Sequence, residues 1–194
     1  MKSQIRRSMR FSIVIAVITF VLAAIFSIIS SSLLSGVIWT IGLIIVLVIV
    51  LIGVVFDMLG IASTAAQEAP FHAMAAEKVT GAKEAVAIIR NADKFASFCN
   101  DVIGDISGIV SGTATAIVVL QIAAISGHGE GSPYQIFLSV LLTSLVAALT
   151  VGGKAVGKYF AINASTKIIF FAGKVIAIIQ NKFKIKVLPA SKNQ

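Results

Sequence analysis

Charge is scarce in this chain, and acidity scarcer still. Only 12% of its 194 residues are charged, against about a quarter in a soluble domain. With 58% hydrophobic residues and a mean hydropathy of +1.01, it reads as an integral membrane protein. One cysteine, Cys99, excludes a disulfide framework or a cysteine-based zinc site within one chain. Period-2 alternation of the kind found in barrel strands is missing, and no internal repeat is visible. No nucleophile–base arrangement, metal-ligand histidine pair or phosphate-cradling loop is present, so an enzyme is not expected. The net charge of +8 does not indicate nucleic acid, because no soluble surface exists to carry it. The first apolar stretch, from Phe11, is also longer than the roughly 7–15 residues of a signal h-region, which argues against a cleaved leader.

What is present is a set of long apolar runs. Four are long enough to cross a hydrocarbon core that needs about 20 residues: Phe11–Leu34, Gly36–Phe56, roughly Phe95–Ile125, and Pro133–Gly153. Backbone polar groups in lipid must be satisfied within the segment, so these runs predict helices. The fold class expected is therefore an all-α integral membrane protein with four transmembrane helices. An amphipathic cytoplasmic segment should lie between spans two and three, followed at the C-terminal end by an interfacial helix.

The basic residues set the orientation. They fall in the N-terminal segment (Lys2, Arg6, Arg7, Arg10), between spans two and three (Lys78, Lys83, Arg90, Lys94), and after span four (Lys154, Lys158 and six further lysines). None lies in the first hairpin tip or in the loop "SGHGEGSPYQ". The positive-inside rule then places both termini in the cytoplasm of a multi-pass protein of a bacterial-type cell membrane. In "VTGAKEAVAIIRNADKF", Val79, Ala82, Val86 and Ile89 share one helical stripe. That predicts an amphipathic helix lying against the inner leaflet or packed under the bundle. In "ASTKIIFFAGKVIAIIQNKFKIK" the apolar stretch Ile168–Gln180 is interrupted by Lys174 and is short for a span. An interfacial helix is expected there, with a fifth span as the alternative. The polar tail from Pro189 is expected to be disordered.

The third run carries the candidate chemistry. Asp101 and Asp105 sit one helical turn apart on a shared face, and an ionisable group inside a span costs roughly 2.5–3.5 kcal/mol even on the lenient scale. Asp101, about 9 Å along the helix from Phe95, still reaches the cytoplasmic interface, whereas Asp105 lies a turn deeper. The oxygens of Asp101, Asp105, Asn100, Ser107 and Ser111 would suit Mg²⁺, a hard cation that keeps several waters. The competing reading is a structural ion pair, for which Lys154 and Lys158 at the end of span four are the nearest candidates. Gly104, Gly108 and Gly112 recur every four residues. They predict either close helix packing or access for a cation to backbone carbonyls. Thr113, Thr115 and Gln121 could bond neighbouring helices, Asp57 could mark the exit of span two, and His72, His128 and Glu130 read as surface groups.

The stretch "GAKEAVAIIRNADKF" leading into a small-residue span resembles the transmembrane domain of the cyclin-M/CorC family of divalent-cation (magnesium and cobalt) transport proteins. There a G-A-x-x-A-x-x-L-x-x-N-P-D-R-F segment precedes an I-G-N-N-type span. Ile103, Gly104 and Asp105 resemble I-G-N, and "GKAVGKYFA" resembles G-E-x-x-P-K-x-x-A through Gly153, Lys158 and Ala161. "ASTAA" resembles the family's S-E-T-A turn faintly. The resemblance runs over roughly residues 37–180. It implies a division into a basic segment plus extra first span (1–36), a family-like membrane domain (37–188) and a tail (189–194). It further implies a homodimer that binds Mg²⁺ among polar residues of the spans and moves it out of the cell, coupled to Na⁺. The signature Glu is Lys154 here, its Pro is Gly157, and the Glu of S-E-T-A is absent. A lysine in that place opposes a divalent cation. It raises the alternative of a non-transporting scaffold or regulator whose ion site is filled by Lys154 paired with Asp105. The family's nucleotide-binding CBS pair has no counterpart in these residues, so regulation by ATP would require a separate protein.

Overall fold

A computed structural model describes residues 2–183, with side chains from Met9 onward except those of Arg10, Phe11 and Phe183. The tail at 189–194, expected to be disordered, lies outside the described residues. Helix dominates, and no strand occurs among the described residues. The helices are α1 (Lys2–Ser35), α2 (Trp39–Ala65), α3 (Ala69–Ala76), α4 (Ala82–Arg90) and α5 (Ala92–Ser97). A π-helical segment (Phe98–Gly104) follows, and then α6 (Asp105–Ile125), α7 (Pro133–Asn163) and α8 (Ser165–Phe183).

Among the described residues, four helical stretches are long and apolar enough to cross a membrane: Ser12–Ser35, Trp39–Ala65, Ala92–Ile125 and Pro133–Asn163. All four expected runs are present, and in each of them helix continues past the apolar part: α1 begins at Lys2, α2 reaches Ala65, the third run begins at Ala92 and α7 reaches Asn163. Nothing in the chain stops α2 at Phe56 or α7 at Gly153. Helix propagates until a terminator appears, whereas the apolar run ends wherever the first charge falls.

The chain divides into two compact units. The first comprises residues up to Val54 together with Asp101–Gly153. Between Ser12 and Val54, and between Ile106 and Gly153, Glu130 is its sole charged residue. Here α6 is the central helix, burying Ile106, Val110, Ala114, Val118 and Val119. Val46 and Val50 of α2 and Val146 of α7 pack with Ala114 and Val118, while Ile15, Leu22 and Ala23 of α1 pack with Val102, Ile106 and Val110. Lipid provides no hydrophobic drive for such contacts, so close backbone approach has to supply them. Two glycines of α2 provide it. A Cβ on Gly53 would come within 2.8 Å of Ser107 Cβ, and one on Gly42 within 2.7 Å of a Val118 methyl. Gln121 donates to the Leu34 carbonyl at 2.8 Å, tying α6 to α1. Thr113 and Thr115 bond carbonyls of their own helix instead, as β-hydroxyls one turn on from a carbonyl readily do.

Among the described residues, the second unit comprises Val55–Asn100 and Lys154–Phe183. Its core is Ala62, Phe71, Ala85, Val86, Ile88, Ala161, Ile169 and Ala172. The amphipathic stretch is α4, and its apolar side is packed against α3 and α8. Gly81 opens α4 at φ +91°, a conformation that favours glycine. A Cβ there would lie 2.6 Å from the Lys174 amide nitrogen, and a Cβ on Gly173 would meet the Gly81 carbonyl. The α4 start and the middle of α8 thus touch backbone to backbone.

Candidate functional site

Asn100, in the π-helical segment, faces Gly60 of α2 so closely that a Cβ on Gly60 would collide with its side-chain amide. Its Oδ1 is buried and has no hydrogen-bond partner. Ser63, one turn along α2, is also buried, and its hydroxyl donates to the Gly60 carbonyl at 2.7 Å. One turn the other way, Asp57 Oδ1 lies 3.6 Å from Lys154 Nζ, with the two side chains only 15% and 27% exposed. The second unit thereby gathers a carboxylate, an ammonium and an unsatisfied amide oxygen along one stretch of α2. A buried amide oxygen with no protein donor costs about 1–3 kcal/mol unless it is otherwise satisfied, so it is available as an acceptor or cation ligand.

The residues expected as ligands do not gather into one set. Asn100 belongs to the second unit and packs on Gly60. Asp101 and Asp105 belong to the first unit and are exposed, as is Phe98. Ser107 and Ser111 are buried on a different side of the same helix, Ser107 against Gly53 and Ser111 donating to the Gly108 carbonyl at 2.9 Å. Among the described residues no three His, Cys, Asp or Glu side chains converge as a metal-binding group. Of the three glycines, Gly104 is buried beside Gly53, but a Cβ added to Gly108 or Gly112 would meet nothing within 4 Å. They open on a cavity of about 290 Å³ lined also by Ser111, Thr115, Thr143 and Thr150. Lys158 is exposed on α7.

Two features were illegible in the sequence. The Asp57–Lys154 pair joins a residue that reads only as a span exit to a lysine at the end of span four. The Asn100–Gly60 contact depends on the π-helical segment, a form frequent at functional sites and marked by no residue type. Outside the spans, Glu68 accepts from Arg90 and pairs with His72 at 2.7 Å. The Arg90 hydrogen bond, aided by His72, holds the Glu68 carboxyl below its ordinary 4.5. His128 stacks on Tyr134 in the connection before α7, as a surface group.

Fold and composition together define a multi-pass helical membrane protein. No protein-family model, curated protein or solved structure matches the chain.

Proposed function

We propose that the protein is a divalent-cation (Mg²⁺-like) transport or efflux protein of the membrane. In this reading it works as a homodimer with both termini cytoplasmic, Asp105 and Asp101 stand in the ion path, and a separate protein supplies any regulation. The observation that carries the reading is the unsatisfied Asn100 oxygen, seated on Gly60 one turn of α2 from the Asp57 carboxylate. Hard oxygen donors near a span end, few in number, suit a cation that retains most of its water. Such a set holds cargo weakly enough to release it, as conduction requires. The depth of the charges agrees. Asp57 follows Trp39 by 18 residues, Lys154 follows Pro133 by 21, and Asp105 precedes Ile125 by 20. At 1.5 Å per residue each lies about 27–32 Å from the opposite end of its apolar segment. That distance equals the thickness of a hydrocarbon core. This spacing supports a reading in which the charges stand near the bilayer surface, where a hydrated ion enters, rather than at its centre.

One observation favours the second reading, a non-transporting scaffold or regulator: Lys154 already sits against the Asp57 carboxylate. The test is flux into liposomes loaded with a Mg²⁺-sensitive dye, with a Na⁺ gradient supplied. It compares the native protein with Asp105→Ala, Asn100→Ala and Lys154→Met. Transport predicts native flux that Asp105→Ala and Asn100→Ala abolish. Absence of flux from native protein and from Lys154→Met alike, in correctly folded vesicles, refutes transport and leaves the scaffold reading.

A further inference from the structure

Helix α8 has two apolar faces, and the rest of its unit covers only one. Ile169, Ala172, Gly173 and Ala177 are buried on the α4 side. Around the helix from them, Phe171, Val175 and Ile178 recur at the spacing of successive turns and stay open to the outside, Phe171 at 68% and Ile178 at 60%. On a 100° wheel Lys167 and Lys174 fall along one edge of this strip, and Lys182 lies at its C-terminal end. Lys174 Nζ lies over the Phe170 ring, 4.5 Å from its centroid. A cavity of about 280 Å³ shared by Ala177 and Asn181 with Lys78, Lys83 and Glu84 puts two more lysines and one carboxylate on the same flank.

Which occupant covers this strip follows from charge and tethering. A protein partner with an apolar face would not call for a row of ammonium groups at its border. A bilayer surface bearing anionic headgroups does, because lysines with apolar stems reach phosphates while neighbouring side chains enter the acyl boundary. Tethering holds α8 there, since a single residue, Ala164, separates it from α7, a candidate span. A surface position fits the strip better than a span. Its other face is occupied by α4, which carries Lys83, Glu84 and Arg90, and the apolar stretch 168–180 covers only about 20 Å. We infer that the outer face of α8 is an anionic-lipid-binding surface, with Phe171, Val175 and Ile178 at the acyl boundary and Lys167 and Lys174 on lipid phosphates.

The inference is independent of transport, and its test reads no flux. The whole protein, with Cys99→Ala and either Phe171→Cys or Ile178→Cys, is labelled with an environment-sensitive fluorophore. It is reconstituted in phosphatidylcholine vesicles with phosphatidylglycerol mixed in. Nitroxide-labelled phosphatidylglycerol should quench either position more strongly than labelled phosphatidylcholine, and a nitroxide near the headgroup more strongly than one at the chain end. Lys167→Gln with Lys174→Gln should remove the preference, each lysine counting for up to about fivefold in lipid association, and high salt should weaken it. Equal quenching by both lipids overturns the anionic preference. Dominant quenching from the chain end means a fifth span, and no quenching by either lipid means that water or a second protein chain covers the strip; both overturn the inference.

Discussion

Placing a single methyl group on Gly173 tests the packing of the second unit at its tightest point. An added Cβ would sit 3.0 Å from the Ala85 amide nitrogen and 3.1 Å from Ala85 Cβ, and closer still to the Gly81 carbonyl. Ordinary contact begins near 3.4 Å, so α8 must retreat from α4 by several tenths of an ångström at Ala85 and by roughly an ångström at Gly81. None of these obstacles can swing aside, because two are backbone atoms and the third is a β-carbon fixed to it. Overpacking of this kind costs about 1–3 kcal/mol. The retreat also loosens Ile88, Ile169 and Ala172, which are buried in the same core, so Gly173→Ala should fall near the upper end, about 2–3 kcal/mol. A control is built into the chain. A Cβ on Gly108 meets nothing, and Gly→Ala inside a helix gains roughly 0.5–1 kcal/mol. Hydrogen–deuterium exchange of α4 amides in micelles reads the difference directly. A loss of 2 kcal/mol raises their opening constant about 30-fold, while Gly108→Ala should leave α4 exchange unchanged. If Gly173→Ala exchanged in α4 like the native protein, the backbone contact between α4 and α8 would be refuted.

Two further outcomes follow from other contacts. Gly60→Ala should destabilise the protein by about 1–3 kcal/mol through collision with the Asn100 amide. Asn100→Ala should suppress most of that loss, so a double-mutant cycle by denaturant unfolding in detergent must show strong coupling, and additive losses would disprove the contact. The Glu68 carboxyl, bonded first to Arg90 and then to His72, is held below its ordinary 4.5 in the folded protein. A depressed pKa stabilises fully above the unfolded value, and its contribution is lost as pH falls through the folded one. The native protein should therefore lose thermal stability relative to Glu68→Gln only as pH drops below about 4.5, a small effect at so exposed a pair. A difference that instead grew toward neutral pH would contradict the assignment.

Most of the membrane architecture was legible without coordinates. A run of about 20 apolar residues is a statement about hydrocarbon thickness, and Phe11–Leu34 or Pro133–Gly153 needs no tertiary partner to be read that way. Gln121 was legible as an interhelical bond for the same reason, since a lone amide inside a span has to find a carbonyl. Thr113 and Thr115 were not, because their own helix satisfies them equally well. The five residues of the expected ligand set are neighbours by spacing along one helix. Spacing cannot show that Ser107 and Ser111 turn inward toward α2 and into their own helix while Asp101 and Asp105 stay exposed. Nor does it register the π-helical segment that carries Asn100.

The sequence by itself determined that the chain is helical, that it has four segments able to span a membrane, and that its charges are excluded from long stretches of them. These follow from hydropathy, length and the need to satisfy every backbone group in lipid, all local properties. Only the tertiary structure decided that Asp57 meets Lys154, that Gly60 makes room for Asn100, that Gly81 and Gly173 bring α4 onto α8, and that α8 keeps a second apolar face uncovered. Each is a matter of which sequence-distant surfaces approach within a few ångströms. Steric fit settles that, and no local pattern of residue types encodes it.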